Sequence, residues 1–212
     1  MTAMGRIVSL YPAMILGLST VTVLWFGWHP SIYQPLILAA NIYLLPPLTL
    51  RLHQLIFPIK EGASNLSERK YSPWWGAHQI QLIYIAIPQL EALLRMVPGL
   101  YSVWLRLCGS KVGRNVYWTP NVEITDRCLM DIGDRVVFGH RTHFFAHAIK
   151  PGKRGMILYT RRIKIGDDVF IGAGSRAGPG VVIANGVCLP ILTDLYIDQV
   201  VESQPDNSKT GR

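Results

Sequence analysis

Charge is scarce in this chain, and it is absent over one long stretch. Only 16% of the 212 residues are Asp, Glu, Lys or Arg, against roughly a quarter in an average soluble domain, while 50% are apolar. That balance excludes intrinsic disorder for most of the chain. Cysteine is scarce too. The three residues Cys108, Cys128 and Cys188 are too few for a disulfide scaffold, and no pair has the C-x2-C spacing of a zinc site or redox motif. Acidic residues are outnumbered 21 to 13 by Lys and Arg, a net charge of +8. That excess suits acidic lipids, phosphorylated cofactors or nucleic acid alike, and beyond charge no motif supports nucleic-acid binding.

The longest uncharged run, 44 residues, lies between Arg6 and Arg51 and is interrupted by the turn-like Trp28-His29-Pro30-Ser31. Ile7 to Trp28 gives 22 residues and Ile32 to Leu50 gives 19, enough for two helices to cross about 30 Å of hydrocarbon. Trp25, Trp28 and Tyr33 gather at the shared end as interface anchors do. A signal peptide would have a shorter apolar core and no second span. Pro12, Pro35 and the Pro46-Pro47 pair are expected to kink the helices. The connecting loop has no Lys or Arg, whereas Arg6, Arg51, Lys60, Arg69 and Lys70 flank the pair. Both ends are therefore expected on the cytoplasmic side of the inner membrane, with the rest of the chain in the cytoplasm.

The sequence divides into a transmembrane helical hairpin over 1–57, a linker and short helices over 58–111, a repeat domain over 112–201 and a polar, disordered tail over 202–212. Residues 58–73 read as linker. Residues 74–107 are apolar pieces cut by Pro88 and Pro98-Gly99 and studded with Trp74, Trp75, Tyr84, Tyr101 and Trp104. Two readings fit them equally: interfacial helices on lipid headgroups, or a helical subdomain packed on the domain that follows.

From Val112 the chain falls into hexads. They read VGRNVY, WTPNVE, ITDRCL, then, after Met130-Asp131, IGDRVV, FGHRTH and FFAHAI. After a charged excursion over 150–164 come IGDDVF, IGAGSR, AGPGVV, IANGVC and LPILTD. The first position is apolar and the fifth small or β-branched in all eleven. Neither a period of 2 nor one of 3.6 produces this. Gly, Asn and Asp crowd the positions between, as corners with φ > 0 require. The solution is a solenoid whose successive coils stack, with positions one and five inward. Gly172-Ala173-Gly174-Ser175-Arg176-Ala177 also matches a dinucleotide fingerprint, but Gly178-Pro179-Gly180 would break the helix that motif needs.

This pattern resembles the hexapeptide-repeat acyltransferases over residues 112 to about 201. The resemblance implies a left-handed parallel β-helix for this domain, so the chain is expected to be α+β: the N-terminal transmembrane helical hairpin and interfacial helices read above, followed by that β-helix. It also implies a homotrimer with acyl-CoA held between subunits. The expected reaction is transfer of an acyl group, most simply acetyl, from the coenzyme A thioester to a hydroxyl or amine of a sugar or lipid-linked glycan near the bilayer.

Such a transfer needs a base near neutral pKa, which His supplies. Three of the six His, His140, His143 and His147, lie just before the excursion. In the resembling enzymes a His follows an Ile-Gly-Asp hexad by a little over a dozen residues and precedes a returning loop. His147, 15 residues after Ile132, fits, and His143 stays open as the alternative. The pantetheine arm is expected along Gly172, Ala173 and Gly178, with Arg161 and Arg162 at the phosphates. No metal is expected, because the three His occupy different hexad positions and no Cys or acid joins them closely. Two other classes share the repeat: a silent trimerisation module at the membrane, and a zinc enzyme of γ-carbonic-anhydrase type. A glycerolipid acyltransferase of the other kind is disfavoured, since no His is followed by Asp five positions later.

Overall fold

A computed structural model describes residues 2–153 and 155–203; the tail assigned to 202–212 lies, from residue 204 onward, outside the described residues. The uncharged run forms two long helices, each in two pieces. The first comprises α1 (Ala3–Ser9) and α2 (Tyr11–Trp28), and the second α3 (Tyr33–Tyr43) and α4 (Leu45–Ile56). The breaks fall at Pro12 and at Pro46-Pro47, each in the first turn of a new piece, where a missing N–H leaves no intrahelical bond unmade. Pro35 sits in the first turn of α3 for the same reason. The composite helices span 26 and 24 residues, long and apolar enough to cross a membrane, and only 17% of the most apolar 18-residue stretch of each is buried within the protein. Asn41 Nδ2 donates to Thr22 Oγ1 at 3.3 Å and ties the pair together.

The next three helices are α5 (Pro73–Ala86), α6 (Gln89–Arg95) and α7 (Leu100–Cys108). Trp74, Tyr84, Tyr101 and Trp104 point inward and are buried, so four of the five rings that suggested headgroup anchors are core residues, Trp75 is half-buried, and the helices form a subdomain packed on the coil. Their attachment is polar at its centre. Glu91 on α6 is 3% exposed. It accepts from Arg95 Nη2 at 3.0 Å, from Arg127 Nε and from the Tyr101 hydroxyl at 3.4 Å. A carboxylate so deeply buried persists only because it is paired and hydrogen-bonded. The opposite side of α6 and α7 leaves Leu93, Met96, Val97, Leu100 and Val103 exposed.

The hexads build a three-sided parallel coil. One side stacks β2 (Lys111–Val112), β5 (Met130–Ile132), β10 (Ile163–Ile165), β13 (Val182–Ile183) and β16 (Val200–Val201). The second stacks β3 (Tyr117–Trp118), β6 (Val137–Phe138), β11 (Phe170–Ile171) and β14 (Cys188–Leu189). The third stacks β4 (Glu123–Ile124), β7 (His143–Phe144), β12 (Arg176–Ala177) and β15 (Asp194–Leu195). First-position residues are buried throughout, and Trp118 stacks on Phe138 at 4.3 Å between ring centroids. A twelfth hexad, Leu195 to Val200, continues the register beyond the eleven read in sequence.

Corner conformation follows the hexad. The fourth residue has positive φ in ten of the twelve: Asn115, Asn121, Arg135, Arg141, Asp168, Gly174, Gly180, Gly186, Leu192 and Asp198. The two exceptions are Arg127 and His147, in the hexads that precede the two register breaks.

The excursion is an antiparallel hairpin, β8 (His147–Gly152) with β9 (Gly155–Thr160). Its free edge is taken by β1 (Gly62–Asn65), from the stretch read as linker. Four short polar residues carry no alternating pattern, so nothing local marks them as a strand; the hairpin edge supplies their partners.

Candidate active site

Asp126 and His147 stand at the two exceptional corners, stacked one coil apart on the third side. The His147 Nδ1 to Asp126 Oδ2 distance is 2.7 Å. Asp126 is 2% exposed. Its Oδ2 also accepts from the Ala146 N–H at 2.8 Å, and its Oδ1 from Trp74 Nε1 at 3.1 Å. Three donors converge on one buried carboxylate, which fixes its rotamer and satisfies both of its acceptor oxygens. The hydrogen-bond network thereby assigns the His147 proton to Nδ1 and leaves the lone pair on Nε2. Nε2 has no partner among the described residues.

Helix α5 forms the opposite wall. Ser72 caps it, its Oγ accepting from the Trp75 N–H at 3.4 Å, and Pro73 opens its first turn. One turn on, Trp74 and His78 lie on the face that meets the coil. The Trp74 ring lies 4.5 Å from that of His147, and His78 meets His147 edge-on at 5.8 Å. His78 Nδ1 is buried with no hydrogen-bond partner among the described residues. Burial pushes the His78 pKa down against the pull of Asp126, so the ring is neutral near pH 7.

His143 lies on the same side of the coil in a different setting. Its Nε2 is 3.2 Å from Thr125 Oγ1, and among the described residues no carboxylate bonds it. It sits in a ladder between Glu123 and Arg176, and burial first, then Arg176, holds its pKa below the usual histidine value, with Glu123 opposing. His140 is exposed on its corner, and among the described residues no three His, Cys, Asp or Glu side chains are grouped to hold a metal ion.

The other sequence candidates are spread apart. Gly172 faces the next coil: a Cβ there would lie 2.4 Å from the Pro190 carbonyl carbon, so coil stacking alone demands glycine. Ala173 is half-buried at the adjoining corner. Gly178 lies buried beside Phe145 with room to spare, since a Cβ there would approach nothing closer than 3.5 Å. Arg161 and Arg162 diverge. Arg161 pairs with Asp198 at 2.7 Å, while Arg162 donates to the Met130 carbonyl at 3.1 Å on the other side.

Sequence reasoning missed Asp126, Trp74 and His78. The signal for Asp126 was masked by its neighbours in register. Third-position Asp134 and Asp167 also accept backbone N–H groups, from Arg114 and Asp134, each at 2.7 Å. An Asp in that position therefore reads as an ordinary coil-to-coil tie.

No protein-family model matches the chain, and no curated protein matches it significantly. Several solved structures are similar to it. A hexapeptide-repeat containing acetyltransferase complexed with acetyl coenzyme A, from Vibrio cholerae O1 biovar eltor, is 18% identical with a TM-score of 0.42, over 57% of this chain and 82% of that one. A galactoside acetyltransferase in complex with coenzyme A is 16% identical with a TM-score of 0.34, over 53% and 76%. Serine acetyltransferase isoform 3 from Entamoeba histolytica, in complex with cysteine, is 15% identical with a TM-score of 0.23, over 94% and 73%. All three are acetyltransferases.

Proposed function

We propose that this chain is a membrane-bound acyltransferase that moves an acyl group, most simply acetyl, from a coenzyme A thioester to a hydroxyl or amine of a sugar or lipid-linked glycan. One observation carries the reading: the Asp126–His147 pair, with Nδ1 held at 2.7 Å and Nε2 free. In the reaction, Nε2 takes the proton of the acceptor as its oxygen or nitrogen attacks the thioester carbonyl. The tetrahedral intermediate expels the thiolate of coenzyme A, and the imidazolium returns the proton to that sulfur. Asp126 keeps the ring in the productive tautomer and steadies its positive charge.

The same reading makes the coil a left-handed β-helix and the unit a trimer, with acyl-CoA between subunits near Ala173 and Gly178 and its phosphates near Arg161 or Arg162. It places both ends of the hairpin in the cytoplasm. Reporter fusions after Arg6 and after Lys70 should both report cytoplasm, and mass in detergent should correspond to three chains.

The direct test compares two single mutants. His147→Ala should lower transfer by about 10²–10⁴-fold while coenzyme A binding persists. His143→Ala should keep most activity. A dead His143→Ala beside an active His147→Ala would move the base by four residues. Full activity in both would leave the chain as a silent assembly module.

A further inference from the structure

Two cavities lie near the foot of the hairpin, separated by the His53–Tyr71 contact. The first, about 420 Å³, is lined chiefly by apolar side chains, among them Ile7, Met14, Leu52 and Ile56. His53 faces it and is 6% exposed. His53 Nε2 lies 2.7 Å from the Tyr71 hydroxyl, and its Nδ1 is buried with no partner. The second cavity, about 360 Å³, is lined by Tyr71 together with Glu68, Arg69, Lys70, Ser72 and Trp75, and Lys70 Nζ lies 3.8 Å from Glu68 Oε2. Tyr71 thus stands between an apolar slot and a pocket where two cations outweigh one carboxylate. Trp75 then leads toward the base: its ring is 6.4 Å from His78, which is 5.8 Å from His147.

We propose that the two cavities form one site for the acceptor, a membrane lipid with a phosphate-bearing head. This deepens the acyl-transfer reading and rests on it for the role of acceptor. The chain of the lipid enters the slot from the hydrocarbon beside the helices. The phosphate lies at Arg69 and Lys70, which face the membrane surface where basic residues gather anionic heads. The head runs along Trp75 and His78 and brings its hydroxyl or amine to Nε2 of His147.

The test uses the full chain, stripped of lipid in dodecyl maltoside and followed by native mass spectrometry. It is titrated with palmitoyl-oleoyl phosphatidylglycerol, with the diacylglycerol of the same chains, and with inorganic phosphate. One phosphatidylglycerol should bind per chain, about tenfold or more tighter than the diacylglycerol, and inorganic phosphate should not displace it. The double variant Arg69→Gln/Lys70→Gln, altered only at exposed positions, should lose that preference. Leu52→Trp, which fills the slot, should weaken both lipids about tenfold. Equal affinity for the two lipids in the wild type, or phosphatidylglycerol binding unchanged in both variants, would overturn the proposal. His147→Ala should bind lipid as the wild type does while transfer falls by about 10²–10⁴-fold. Lipid binding as described with no transfer to any acceptor would sink the transfer reading and leave the lipid site standing. Acylation of a water-soluble acceptor with no lipid preference would do the reverse.

Discussion

Asp126 does three jobs with two oxygens, and each job fails differently when the side chain changes. Asp126→Asn keeps the shape but presents an NH₂ group to the Ala146 N–H and to His147, or, if flipped, to the Trp74 N–H. The amide disfavours a proton on Nδ1, so the ring holds it on Nε2 and loses its base. Activity should fall about 10²–10⁴-fold with coenzyme A affinity little changed. Asp126→Ala should add a loss of stability, about 1–3 kcal/mol for each buried donor left unpaired. Assays of kcat beside thermal melting separate the two effects. An Asp126→Asn enzyme with wild-type kcat would remove the carboxylate from the mechanism.

At the scale of the element, the hexad explains itself through its glycines. A Cβ on Gly172 would meet the Pro190 backbone at 2.4 Å, whereas one on Gly178 would meet nothing closer than 3.5 Å. Gly172→Ala should therefore force two coils apart and cost roughly 3 kcal/mol or more, while Gly178→Ala should stay within about 0.5 kcal/mol. Denaturant midpoints check the contrast, and equal costs would show that coil spacing yields more easily than its close contacts imply. The coil was legible in sequence because positions one and five repeat whatever the outward residues are. The site was not, for two reasons. The coil-tying Asp134 and Asp167 and the His147-bound Asp126 occupy the same hexad position. The Trp74 and His78 wall depends on a packing of α5 against corners some fifty residues or more along the chain, which no local period encodes. His147 stood out in sequence only through its spacing, 15 residues after Ile132 in the resembling pattern, with His143 left open beside it.

For the whole molecule, acidity is the simplest lever. Burial lowers the pKa of both His78 and His143 in the folded chain, relative to about 6.5 when unfolded. Above that value both rings are neutral in either state, and their contribution to stability is complete. As pH falls, the unfolded chain takes up protons first, so stability is lost down through the lowered folded values. Melting temperature in detergent should therefore drop between pH 7.5 and 5, and His78→Asn with His143→Asn should flatten the slope. A wild-type midpoint constant over that range would contradict the burial of these rings.

The coil also has a direction. Its first turn is closed by helices: Arg106 donates to the carbonyls of Val112 and Gly113, and Arg95 to that of Val122. Among the described residues, the last rungs, β14, β15 and β16, have a neighbouring strand on one side only. Lengthening such a solenoid is thus a one-way operation. Eighteen-residue consensus turns can be spliced in after Val201 at little cost, because each new strand finds waiting N–H and C=O groups. The same turns inserted before Lys111 would pry the guanidinium clamps off the first rung. The last described rungs carry the complementary hazard wherever they stay uncovered, since an unpaired parallel edge offers those groups to any extended chain that meets it.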